Sequence, residues 1–154
     1  MIPKRDLLIL SELRNNSRES LTRISRNIAM PVSTIFDKLR FYSGNLIVKH
    51  TTLIDFSKLG FNARANIMIK VDKNFRDEAR NFLTNHHNIN SVYKVSNGFD
   101  FLVEGIFKNV KDVEDFLEYF ESKFKLEEIE VYYVIEDIKK ETFMNDKNLL
   151  NVVV

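Results

Sequence analysis

Residues 4–15 set Leu7, Leu8, Leu10 and Leu13 among charged positions, an apolar stripe at helical spacing that Asn15-Asn16-Ser17 stops. Ser20 then stands where an N-cap belongs, and Leu21, Ile24 and Ile28 follow it three and four residues apart. Ala29-Met30-Pro31 breaks this second helix, since Pro31 has no amide hydrogen to donate and suits the first turn of a third. Ile35 and Leu39 carry the third stripe, with Phe36 and Tyr42 at its flanks, and Gly44-Asn45 ends it because both tolerate positive φ. Small Ser25 and Ala29 suit helices that cross closely. The run LIVKHTTLID predicts two short β segments turning near His50-Thr51. Helix, helix, tight turn, helix and wing make a winged helix-turn-helix over residues 1–55, although three striped helices also fit an ordinary small bundle.

After a connector at 56–62, containing Lys58-Leu59-Gly60-Phe61, the period changes to two. Ala63, Ala65, Ile67, Ile69 and Val71 alternate with Arg64, Asn66, Met68 and Lys70, a strand with one buried face. Helical spacing returns over 73–86 with Phe75, Ala79, Phe82 and Leu83. Strands follow at 89–96 and 99–107, joined by a turn at Asn97-Gly98. Asn109 caps a helix through Phe124, and a strand over 128–138 closes the set. The whole is an α+β chain: the winged helix-turn-helix joined to a ferredoxin-like βαββαβ domain over 63–140, then a tail at 141–154. Two helices cover one sheet face only. On the last strand Ile129, Val131, Tyr133 and Ile135 point one way and Tyr132 and Val134 the other, so a second copy of the chain is the expected cover and Ile129, Val131, Tyr133 and Ile135 the expected dimer interface. The apolar end, LLNVVV, either adds to a neighbour's sheet, packs across the dimer, or frays.

Hydrophobic residues make up 44% of the 154, with thirteen Phe, enough for a real core. The absence of Cys excludes disulfides and thiolate metal sites and fits a reducing cytoplasm. The opening MIPKRDLLIL is too short and too charged for a signal peptide or membrane span. The net charge of +1 hides an asymmetry: residues 1–58 carry ten Lys/Arg against five acids, and the remainder thirteen against seventeen. A basic half is a candidate surface for a polyanion.

The ordered motifs resemble the Lrp/AsnC (feast/famine) family of prokaryotic transcription regulators over roughly residues 5–140. RDLLILSELRNNSRESLTRISRNIAMPVSTIFDKL is similar to the family's N-terminal signature: Asp6 opens the first helix, Arg18 precedes the second, and Ser33-Thr34 leads the recognition helix. LIVKHTTLIDFSKLG resembles its wing and connector, and SNGFDFLVEG its hairpin, with Asp100 between aromatic residues. Three departures stand out. Pro31 replaces a capping Ser, the segment before the wing is one residue short, and the hairpin glycine is shifted to Gly98.

The resemblance implies a homodimer, or a tetramer or octamer, that binds double-stranded DNA and, in many relatives, an amino-acid effector between RAM/ACT-like domains. Ser33, Thr34 and Lys38 are the candidates for base edges, with Asp37 either accepting from a cytosine amino group or pairing with Arg40. Arg18, Arg23, Arg26 and Arg40 suit phosphates, and Lys49 and His50 would project from the wing. Asn97, Gly98 and Asp100 are the effector candidates, unless Asp100 merely binds the hairpin backbone. No cofactor or metal is expected. Some relatives of the fold are siroheme decarboxylases, but the three histidines, His50, His86 and His87, lack ligand spacing, and adjacent side chains near a helix end are expected to diverge. A third alternative is an oligomeric module that binds a protein through its N-terminal helices.

Overall fold

The computed structural model describes residues 2–153. The chain forms two compact units: one combines the residues up to Leu53 with those from Ile138 onward, and the other runs from Ile54 to Asp137.

In the first unit lie α1 (Lys4–Asn15), α2 (Leu21–Ile28) and α3 (Val32–Tyr42). The Ser20 hydroxyl caps α2 by accepting the Arg23 N–H at 3.2 Å. Ala29 ends it in the left-handed conformation (φ 51°), which lets the chain turn at once into α3. Pro31 takes the cap position itself and supplies only its carbonyl, which accepts the Ile35 N–H at 3.1 Å. Ile9, Ile24, Met30 and Ile35 form the core, with Leu13, Leu21, Ile28 and Leu39 packed on it. The α1 stripe is therefore displaced from the leucine-only reading. Asp6, Ile9 and Leu13, three and four apart, turn inward, and Leu8 and Leu10 are half-buried.

No β segments form over 46–55. The expected wing is an irregular loop with one isolated bridge, Ser43 to Ile47, and Val48 is 90% exposed. A two-stranded ribbon with no third strand or helix beneath it buries too little to persist. The tail also departs from expectation, because residues 138–153 fold with the N-terminal helices of their own chain. The Arg14 guanidinium donates to the Phe143 carbonyl at 3.0 Å and to the Glu141 carboxylate at 3.1 Å. Leu150, which opens α6 (Leu150–Val153), is buried. Val154, the last residue of the expected tail, lies outside the described residues.

In the second unit, β1 (Ala63–Val71), α4 (Arg76–Asn85), β2 (Ile89–Lys94), β3 (Phe101–Phe107), α5 (Val110–Lys123) and β4 (Leu126–Tyr133) follow in order. The strands align as β2-β3-β1-β4 and every pair is antiparallel, the ferredoxin-like plait. Asn109 caps α5 by accepting the Asp112 N–H at 3.0 Å. Asn97 and Gly98 both have positive φ, 69° and 99°, as a tight reversal between right-twisted strands requires. Gly105 leaves room for the buried Phe107 ring, since a β-carbon there would stand 2.4 Å from it.

The last strand stops at Tyr133 rather than 138, and its register corrects the expected dimer face. Ile129 pairs with Ile69, Val131 with Ile67 and Tyr133 with Ala65, so the three share a face with fully buried β1 residues. Ile129 and Val131 pack on the unit's own core, and the Tyr133 hydroxyl reaches Glu114 of α5 at 3.3 Å. Ile135 lies beyond the strand and is 98% exposed. Alternation tells which residues share a face; only the register tells which face the helices take.

Candidate nucleic-acid interface

The 3.6-residue period of α3 turns Ile35 and Tyr42 into the core, with Leu39 against it. Ser33, Thr34, Phe36, Asp37, Arg40 and Phe41 are left exposed on the other side. Arg23 and Arg26 on α2, and Arg18 just before it, are exposed as well. Arg23 stands 3.5 Å from Glu19 in a solvated pair. Lys49 and His50 are exposed on the irregular loop that replaces the wing.

Lys38 differs from its neighbours. Its ammonium donates to Asp6 Oδ2 at 2.9 Å, and the Tyr42 hydroxyl donates to the same oxygen. Asp6 is 3% exposed, so α3 is fastened to α1 by a buried carboxylate holding two donors. Burial opposes ionisation of Asp6, but the Tyr42 hydroxyl and the Lys38 ammonium outweigh it and hold the carboxyl below its ordinary value. The same hydrogen bond, with burial, pushes the Tyr42 hydroxyl up to about 12. Lys38, expected at a base edge, thus has its ammonium engaged by Asp6 while its side chain stays 37% exposed. The sequence signal was available, because an acid on the apolar side of α1 needs an internal cation.

The hairpin candidates are similarly bound up. The backbone N–H of Asp100 donates to the Ile69 carbonyl at 2.9 Å, and its carboxylate accepts the Val71 N–H at 3.0 Å. Its other oxygen lies 2.8 Å from Arg76 Nε, so Asp100 clips the hairpin to the end of β1 and the start of α4. Asn97 and Gly98 form the turn. His86 and His87 do not diverge; their rings stack at 4.6 Å, and burial followed by the neighbouring His87 lowers the His86 pKa. Among the described residues no three His, Cys, Asp or Glu side chains stand together as a metal site, and no helix is long and apolar enough to cross a membrane.

A family model described as the Lrp/AsnC ligand binding domain matches residues 64–144, more than half of the chain. The chain belongs to the Lrp/AsnC family. Its relatives are HTH-type transcriptional regulators. The regulator FL11 of Pyrococcus horikoshii is 29% identical over 114 residues, covering 73% of this chain and 76% of that one. A second regulator from the same organism is 24% identical over 137 residues, covering 88% and 93%. Among solved structures, a transcriptional regulator of Neisseria meningitidis in complex with L-Met has a TM-score of 0.83 at 17% identity, covering 91% of this chain and 94% of that one. AsnC of E. coli gives 0.81 at 14%, covering 94% and 99%. At these identities the agreement is one of fold, and it extends along nearly the whole chain.

Proposed function

We propose that this Lrp/AsnC member is a sequence-specific DNA-binding transcription regulator that seats α3 in the major groove. The observation that carries this is the outward face of α3. Ser33, Thr34, Asp37 and Arg40 are exposed together on a helix held from behind by Ile35, Leu39 and the Asp6–Tyr42 bond. Hydroxyls and a carboxylate at that spacing suit base edges. Arg40, together with Arg18, Arg23 and Arg26, suits the phosphates on either side, with Lys49 and His50 as lesser contacts from the loop.

The protein acts as a homodimer. Within the second unit α4 and α5 cover one sheet face, and the other displays Met68, Leu102, Tyr93 and Tyr132 among charged residues; a second copy is the occupant that would bury them. Such a dimer reads a pseudo-palindrome whose half-sites lie about one helical turn apart, or a multiple of it. An amino acid would modulate binding only through different affinities for two assemblies. The relative solved with L-Met supports such an effector, with Asn97, Gly98 and Asp100 as its candidate contacts, the Asp100 carboxylate also bonding Val71 and Arg76.

Selection of bound duplexes from a random pool, followed by gel shift at two salt concentrations, tests the proposal. The expected result is one enriched two-fold motif, with affinity falling about 10³–10⁵-fold between 50 and 200 mM salt if six to ten phosphates are engaged. Retention that is equal on every duplex overturns it.

A further inference from the structure

α3 exposes apolar surface that its fold does not use. Val32 is 41% exposed and Phe36 is 55% exposed, and they stand one turn apart in a row that continues to Arg40. Phe41 is also exposed, at the last turn, but its ring lies edge-on to Tyr42 at 5.4 Å. The ring of Phe36 is therefore the large apolar group presented mid-helix, beside the Ser33, Asp37 and Arg40 side chains.

An occupant for this row must offer an apolar spot next to negative charge, since a guanidinium follows the ring one turn on and the surrounding sequence is basic. A thymine in the major groove meets that description: its 5-methyl group projects into the groove, with phosphate oxygens along the edges. Phe is among the side chains that pair with this methyl without any hydrogen bond. We infer that Phe36, with Val32 one turn before it, reads a thymine in each half-site through its 5-methyl group, a specificity-determining contact that rests on the DNA-binding reading above and deepens it.

The test replaces each thymine of the selected duplex by uracil, which removes only the methyl group, and measures affinity of the full-length chain by fluorescence anisotropy. At one position per half-site the replacement should weaken binding about fourfold, the equivalent of one buried methyl. Phe36→Ala should bind the thymine and uracil duplexes equally, and Phe36→Leu should retain part of the difference. The salt dependence should be the same for all three proteins, because no phosphate contact changes.

Three outcomes overturn the inference. A wild-type chain that binds selectively yet is indifferent to uracil at every position does so while leaving the DNA-binding reading intact. A pool that yields no enriched sequence removes both. A Phe36→Ala protein of lower assembled mass with an unchanged thymine-to-uracil ratio assigns the ring to a second copy instead. Should the Ala variant fold poorly, the uracil scan on the wild type and the Leu variant still decide.

Discussion

The Tyr42 hydroxyl donates to the Asp6 carboxylate, tying the last residue of α3 to the first turn of α1 through a buried charge. Lys38 Nζ binds the same oxygen, so one atom takes two donors from α3. These bonds join α3 to α1 on the side away from its exposed residues.

Removing the acceptor should destabilise the first unit. Asp6→Ala leaves a buried hydroxyl and a half-exposed ammonium without a partner. A loss of about 2 kcal/mol is expected after discounting the exposed side of the pair for solvent. Tyr42→Phe should cost about 1 kcal/mol. Urea denaturation checks both, and Lys38→Ala should weaken DNA retention only in proportion to its effect on stability.

The same cluster limits stability at both ends of the pH scale. The Asp6 carboxyl is held below its ordinary 3.8, so its contribution is present above that value and is lost as pH falls through the lowered one. The Tyr42 hydroxyl is raised from 10.0 to about 12, so its contribution is complete below pH 10 and is lost as pH rises toward 12. Melting temperature against pH should decline over that alkaline interval, and Tyr42→Phe should remove part of the decline.

Arg40→Ala and Ser33→Ala should fail in different ways. Losing a phosphate contact lowers affinity on all duplexes and flattens the salt slope by about one per subunit. Losing a base contact lowers affinity by about 1–3 kcal/mol on the preferred duplex alone, with the slope unchanged. Titrations on preferred and scrambled duplexes at several salt concentrations separate the two.

Because the tail belongs to the helical unit, its loss should be felt there. Leu150→Ala is expected to cost about 2 kcal/mol, at the lower end for a buried leucine. A chain ending at Asp137 should lose amide protection in α1–α3 before the second unit changes. Hydrogen exchange resolves which helices open.

Ala29 holds a conformation that disfavours a β-carbon, with φ at 51° and its side chain exposed. Ala29→Gly should relieve that strain and, after the entropy of glycine in the unfolded chain is subtracted, stabilise by about 0.5–1 kcal/mol. A rise in urea midpoint is the expected readout, and a fall counts against it.

Several features are legible in the sequence because they are local. The periods of 3.6 and 2 locate three helices and the βαββαβ order, and Ser20, Asn109 and Asn97-Gly98 mark caps and a turn by the geometry their side chains permit. The outward set Ser33, Thr34, Asp37 and Arg40 is equally readable, since it is the complement of Ile35 and Leu39 on one helix. The wing fails as an expectation because residues 46–55 have strand-like composition but no neighbouring strand to pair with.

By itself, then, the order of residues determined the three N-terminal helices, the βαββαβ order and which residues of each share a side, because backbone sterics and side-chain spacing act over a few positions. Only the tertiary structure decided that Ile129 and Val131 face inward, that Lys38 answers a carboxylate 32 positions away, and that Arg14 meets a carbonyl 129 positions on. Those outcomes depend on which surfaces, far apart along the chain, bury each other most completely, and no local period encodes that choice.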